Sequence, residues 1–315
     1  MRQKKGAVRE GRSRPRYDPA VPPPPASRIR NYGWGLLATL FWGLSFVGVH
    51  IALKGLTPFG LVWMRLTIGA GVLYGLLALS GGKLLPSRED RGRCVVLGLI
   101  VSAHLSLQAA AMQMTSAVSA GWIVAFIPVV VALGARVFLG QRLSAGGWVG
   151  AGVASAGVLV LSSFRPAELA EAGRGDLLML VSCFTWAAYT LLSVEVIRRS
   201  GALVITAFAM AVAVLPAAAV AVVRKSWHAE PTLRTVVALV FLGALASGIA
   251  FWAFARSIQA IGPQRTSAML YIQPFVTLAG SAVMLTEPIT PAAIAGGVLV
   301  LVGVWRVQRA RITAA

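Results

Sequence analysis

The chain has 315 residues, 57% of them hydrophobic and only 12% charged, with a mean hydropathy of +0.77. Too few charged side chains remain to cover a water-facing surface, so this composition excludes an ordinary soluble domain and fits an integral membrane protein. The formal net charge of +19 does not point to nucleic acid, because the basic residues are scattered at the ends of apolar runs without a recognition patch or a DNA- or RNA-binding motif.

Residues 1–30 carry nine Lys/Arg against Glu10 and Asp18, together with "VPPPP". That segment cannot bury apolar area and is expected to be a disordered basic cytoplasmic tail, a topology anchor rather than a domain. Contact with anionic head groups is the alternative role. About twenty apolar residues at a rise of about 1.5 Å match a hydrocarbon core of about 30 Å. On that rule ten spans follow: 34–53, 59–80, 94–113, 118–139, 146–164, 176–197, 202–223, 235–255, 267–285 and 291–307. Short connections such as "KGLTP", "IGPQR" and "TEPITP" hold the breakers. Ten spans put both termini on one side, and thirteen basic loop residues against six select the cytoplasm for them. A multi-pass protein of the plasma or inner membrane is expected, with residues 309–315 as a cytoplasmic C-terminal tail. Cys94 and Cys183 lack metal-ligand spacing and read as small hydrophobes, so neither a metal nor a cofactor is expected.

The stretch "AFIPVVVALGARVFLGQRLS" at 125–144 returns as "YIQPFVTLAGSAVMLTEPIT" at 271–290 after a shift of 146 residues. Pro128 meets Pro274, Gly134 meets Gly280, Gly150 meets Gly296 and Gly157 meets Gly303; with a shift of 144, Trp42 meets Trp186. Spans one to five (31–165) therefore repeat as spans six to ten (166–308). Because five is odd, the second copy enters the membrane from the opposite side, and the fold class is an all-α polytopic membrane protein built as an inverted repeat of five plus five. Pro128 and Pro274 each free a carbonyl one turn back and are expected to bend spans four and nine beside a central cavity.

The chain resembles the EamA-like transporters of the drug/metabolite transporter superfamily. The resemblance rests on "FWGLSFVGVHIAL" and "TPFGLVWMRLTIGA" at the start of the first half and on the two proline-centred segments ending each half. It spans 34–307 and implies ten helices, cytoplasmic termini and movement of a small metabolite by alternating access. Two departures stand out: Gln141 replaces the family's Glu after the glycine, which Glu287 keeps in the second copy, and His50 stands where the family often has Lys.

Polar side chains at bilayer depth are costly, which makes each a site candidate. His104 and Gln108 lie one helical turn apart on span three. Tyr271 and Gln273 flank the proline of span nine, Trp42, Trp186 and Tyr189 occupy the two repeat-related first helices, and Trp122 and Trp252 enter from spans four and eight. These nine form the expected substrate-binding set. His104 also qualifies as a proton-coupling group, against the alternative of an interhelical hydrogen bond that holds the bundle. His50 and Glu287 lie near the external side as gating or coupling candidates. Arg65, about a turn and a half inside span two, reads as a cation that snorkels to the external head groups rather than touching substrate; the family's matching Arg also allows a structural role.

HExxH, GxSxG, a carboxylate pair and a phosphate-binding loop are all missing from the sequence, so there are no catalytic residues to name and an enzyme is not expected. The leading reading is a secondary active transporter, an exporter of small metabolites such as amino acids or amphipathic drugs. A carrier of lipids or lipid-linked substrates is the alternative, with a membrane-embedded enzyme behind it. Expected partners are a small-molecule substrate and the lipid bilayer, without nucleic acid; proton coupling and a homodimer are open.

Overall fold

The computed structural model describes residues 25–139, 141–163, 169–226, 230–286, 291–309 and 312–314. The basic tail up to residue 24 and the gating candidate Glu287 lie outside the described residues. Helix α1, Pro25–Ala52, begins inside the segment expected to be tail; a proline is tolerated in a first helical turn, where its missing N–H is not needed. It is followed by α2 (Pro58–Leu79), α3 (Arg88–Ala111), α4 (Ala117–Val124), α5 (Ile127–Leu139) and α6 (Ala145–Ser163). The second half runs α7 (Leu169–Ser200), α8 (Ala202–Val223), α9 (Leu233–Val240), a π-helical segment (Phe241–Ile249) and α10 (Ala250–Ile261). It ends with α11 (Pro263–Ala268), a 3-10 turn (Met269–Ile272), α12 (Gln273–Met284) and α13 (Pro291–Arg309).

Among the described residues, eight helical stretches are long and apolar enough to cross a membrane. Three of them are composite, 117–134, 233–261 and 263–284, because a span interrupted by a break continues on the far side of it. Helices α6 and α13, 19 residues each, stand at the fifth and tenth expected positions and are outside that count. Leu79, Leu215, Val223 and Val283 lie on the outside of the bundle, where apolar side chains have lipid as their solvent.

Both proline-centred spans break just before the proline. Helix α4 ends at Val124 and α5 restarts at Ile127, so that Pro128 is the second residue of the new helix. In the second half the 3-10 turn closes at Ile272 and α12 restarts at Gln273, with Pro274 again second. A proline fits there because first-turn N–H groups have no intrahelical acceptor. The expected bend is thus a break and restart in each copy.

Helices α6 and α13 cross with their backbones in contact. A Cβ on Gly157 would lie 2.7 Å from the Gly296 carbonyl oxygen, and one on Gly303 would lie 2.5 Å from that of Gly150. These are the glycines related by the shift of 146, and each pair meets reciprocally. Helices α3 and α7 are tied at both ends. Buried Asp90 accepts hydrogen bonds from Ser87 (3.0 Å) and Ser200 (2.8 Å) and lies 3.3 Å from the Arg199 guanidinium; at the other end Thr115 donates to Asp176.

The bundle is helical, but Gln141–Leu143 and Ile312–Ala314 pair as two short antiparallel strands, Arg142 opposite Thr313. Residues 312–314, within the expected C-terminal tail, supply hydrogen bonds to a loop backbone that lies outside any helix.

Candidate functional site

A cavity of about 30 Å³ lies at the centre of the bundle. That volume admits water and not an organic solute. Both halves build the walls. Val124 and Ile127 precede Pro128 by four residues and one; Leu270 and Gln273 precede Pro274 by the same steps, and all four line the cavity. Each break therefore turns the residues of its own span inward. A Cβ on Gly43 would lie 3.0 Å from the Gln273 carbonyl oxygen, and Thr277 donates to the Gly43 carbonyl at 2.8 Å, so α12 is pressed against α1 and Gln273 is held inside.

Aromatic rings fill the middle. Trp42 and Trp186, the repeat-related pair, meet edge to face at 4.9 Å, and Trp42 contacts Phe251 (5.4 Å) and Phe254 (5.0 Å). The Trp42 indole N–H donates to the Ala246 carbonyl at 2.9 Å. Ala246 belongs to the π-helical segment, where the amide of Ala250 bonds back to Leu245 rather than to Ala246. The wider turn releases a carbonyl from the usual α-helical pairing, and the indole takes it.

His104 on α3 is buried against Trp186, ring centroids 5.0 Å apart. Its Nδ1 lies 3.0 Å from both the Ser182 carbonyl and the Thr185 hydroxyl, and Thr185 itself donates to Ser182 O at 2.7 Å. A carbonyl only accepts, so this network assigns the proton to Nδ1 and leaves Nε2 as an acceptor in the neutral ring.

Arg65 overturns its expectation. It does not snorkel: it is 4% exposed, lines the cavity and donates from Nε to Ser247 Oγ at 2.9 Å. The cause is four residues along the same helix. A Cβ on Gly69 would lie 2.9 Å from Ser247 Cβ and 3.2 Å from the Gly243 carbonyl, so α2 packs against the π-helical segment and carries Arg65 inward with it.

Of the nine expected substrate-binding residues, the structure brings Trp42, His104, Gln108, Trp186 and Gln273 to the cavity. Four lie away from its walls. Tyr189 stacks behind Trp186 at 5.1 Å, Trp122 packs on Phe275 at 5.6 Å, Trp252 packs on Trp34 at 5.2 Å, and Tyr271 joins the packing around the core. Trp252 shows the reason: one residue along a helix turns a side chain by about 100°, and its neighbour Phe251 faces the cavity instead. His50 occupies the last turn of α1, away from the cavity lining. Arg65, Ser45 and Phe251 are cavity residues that the sequence reading did not choose. The signal for Phe251 was available in "AFWAF", where Phe251 and Phe254 share a helix face.

A polytopic helical bundle encloses a small, largely apolar chamber with a few polar groups, lined from both halves. The EamA-like transporter family matches twice, over residues 30–163 and 173–307, and the chain belongs to that family. It is a multi-pass membrane transporter. Among curated relatives, it is 26% identical over 277 residues to an uncharacterized transporter of Archaeoglobus fulgidus, covering 87% of this chain and 97% of the relative. It is also 27% identical over 281 residues to the probable terminal-alkyne amino-acid exporter of Streptantibioticus cattleyicolor, covering 88% of this chain and 93% of the relative. A solved crystal structure shares the fold, with a TM-score of 0.68 at 21% identity over 88% of this chain and 95% of the other.

Proposed function

We propose that the protein is a secondary active exporter of small metabolites, amino acids or amphipathic solutes among them, working by alternating access in the cell membrane. In this reading ten spans form an inverted repeat of five plus five, with both termini cytoplasmic. The observation that carries it is the central cavity, to which each half contributes equivalent residues: Val124 with Leu270, Ile127 with Gln273, and Trp42 with Trp186. A chamber on the symmetry axis between two halves is where rocking of one against the other changes its exposure from side to side. The reciprocal glycine contacts of α6 and α13 support the same relation, and the amino-acid exporter among the relatives supports the substrate range.

His104 is the proposed coupling group, since a proton taken up at Nε2 would leave its Nδ1 bond to α7 in place. The test is uptake of labelled amino acids and amphipathic solutes into proteoliposomes, with and without an imposed pH gradient. Flux that depends on the purified protein supports the reading; none for any solute of the panel overturns it. Transport by His104→Gln with an unchanged pH dependence removes His104 from coupling and leaves the transporter standing.

One observation favours a second reading, a lipid carrier. A lateral apolar groove of about 490 Å³ lies between α1, α9 and α12, lined by Leu44, Val47, Ile51, Val237 and Met284 with Arg234 at its rim. Protein-dependent movement of a labelled phospholipid between leaflets, in vesicles that take up no solute, would select it.

A further inference from the structure

We infer that the central cavity holds its substrate by a carboxylate and that Arg65 is the anchor; this rests on the transporter reading above. The Nε of Arg65 is engaged by Ser247, while its two terminal nitrogens have no hydrogen-bond acceptor among the described residues. A guanidinium is not deprotonated in proteins, and its planar fork matches the two oxygens of a carboxylate.

The chain holds ten acidic residues, and none falls between Asp18 and Glu89, between Asp90 and Glu168, or between Glu230 and Glu287. Among the acids of α3 and α7, Asp90 is tied to Arg199, Asp176 to Thr115 and Glu195 to Arg198, and none lines the cavity. The cavity therefore has a fixed positive charge and lacks a carboxylate wall to balance it.

A second donor points the same way. Trp186 lines the cavity, is 3% exposed, and its indole N–H finds no acceptor among the described residues. A buried donor without a partner is costly, and an anionic oxygen would satisfy it together with the guanidinium. At the end of the bundle where α3 begins and α7 ends, a separate pocket of about 920 Å³ is lined by Lys83, Arg88, Arg91 and Arg256, with Arg199 in its wall paired to Asp90. A basic pocket at one end of the bundle raises the local concentration of anions there. The rings of Trp42, Trp186 and Phe251 supply an apolar surface for the remainder of the ligand. The substrate class is a small organic carboxylate with an apolar or aromatic body.

The probes are matched pairs that differ in the carboxylate alone: N-acetylphenylalanine with N-acetylphenylalaninamide, and hexanoate with hexanamide. The full chain in detergent is titrated by tryptophan fluorescence and by thermal melting. Saturable binding of the acids, at least about tenfold tighter than of the amides, is expected. Arg65→Gln erases that preference and Arg65→Lys, which keeps the charge and loses the fork, restores part of it. Should Arg65→Gln melt out, Trp186→Phe serves instead and weakens the acids without weakening the amides. Equal binding of acid and amide, no saturable response to either acid, or an unchanged preference in the folded variants overturns the inference. Acid binding without flux in proteoliposomes removes the transporter reading and keeps the anchor. Flux of cationic solutes that Arg65→Gln leaves intact removes the anchor and keeps the transporter.

Discussion

The cavity has two polar walls that solve the problem of burying an ionisable group differently. On the α3–α7 wall, His104 donates from Nδ1 to a carbonyl and a hydroxyl of an unbroken α-helix. On the α1–α2 wall, Trp42 and Arg65 reach into the π-helical segment, one for the Ala246 carbonyl and one for the Ser247 hydroxyl. On the first wall His104 has its Nδ1 bonds completed within the bundle and asks nothing of a ligand through them, although the Trp186 indole N–H beside it is unpaired among the described residues. The second leaves a guanidinium half satisfied. Each wall joins elements of both halves, α3 with α7 and α1–α2 with the π-helical segment; His104 is a satisfied packing clasp, whereas Arg65 and Trp186 present unmet donors to the cavity.

Substitutions can break this contrast, and the largest effect is expected from His104→Ala. It removes a buried ring and both clasps to α7, and the melting temperature in detergent should fall by an amount corresponding to about 3 kcal/mol. Ser247→Ala comes next. It takes the acceptor from a charged donor, with an expected loss of about 2 kcal/mol in the same melt, and a bound carboxylate should recover more of it than in the parent. Trp42→Phe keeps the ring cluster and deletes the bond to Ala246, so about 1 kcal/mol is expected; hydrogen exchange across 241–249 should rise there and not along α7. Smallest is Arg198→Ala, which breaks an exposed pair with Glu195 on the α3–α7 side and should change the melt by less than about 0.5 kcal/mol. A His104→Ala protein as stable as the parent, or a Trp42→Phe protein less stable than His104→Ala, would reverse the assignment of the two walls.

The membrane class, the run of apolar helices and the doubled proline were legible because each is written as composition or spacing. A run of twenty apolar residues must find lipid or protein, and a proline at a repeated offset must interrupt a helix. The cavity itself was half legible. His104, Gln108 and Gln273 stood out as polar groups in apolar surroundings, and repeat pairing marked Trp42 and Trp186. Arg65 was misread because depth along a span says how far a charge is from the surface, not which way it faces. Its direction is decided by the absence of side chains at Gly69 and Gly243, two glycines from distant parts of the chain. Trp252 was misread for a different reason: residue type was preferred over helix face, although Phe251 and Phe254, three residues apart on one face, turn toward the cavity and leave Trp252 beside them.

The reciprocal contact of α6 with α13 bears on the order in which the protein can be made. Helix α6 is complete by residue 163, yet the backbone it rests on arrives with 291–309. Gly150 and Gly157 meet their partner backbone only in α13, so this contact cannot form until the last helix has been made. Closure of the pair is then a late and long-range event. A chain cut short before residue 291 would lose the clasp of both halves together, and its defect should appear as slow or failed maturation rather than as a missing activity.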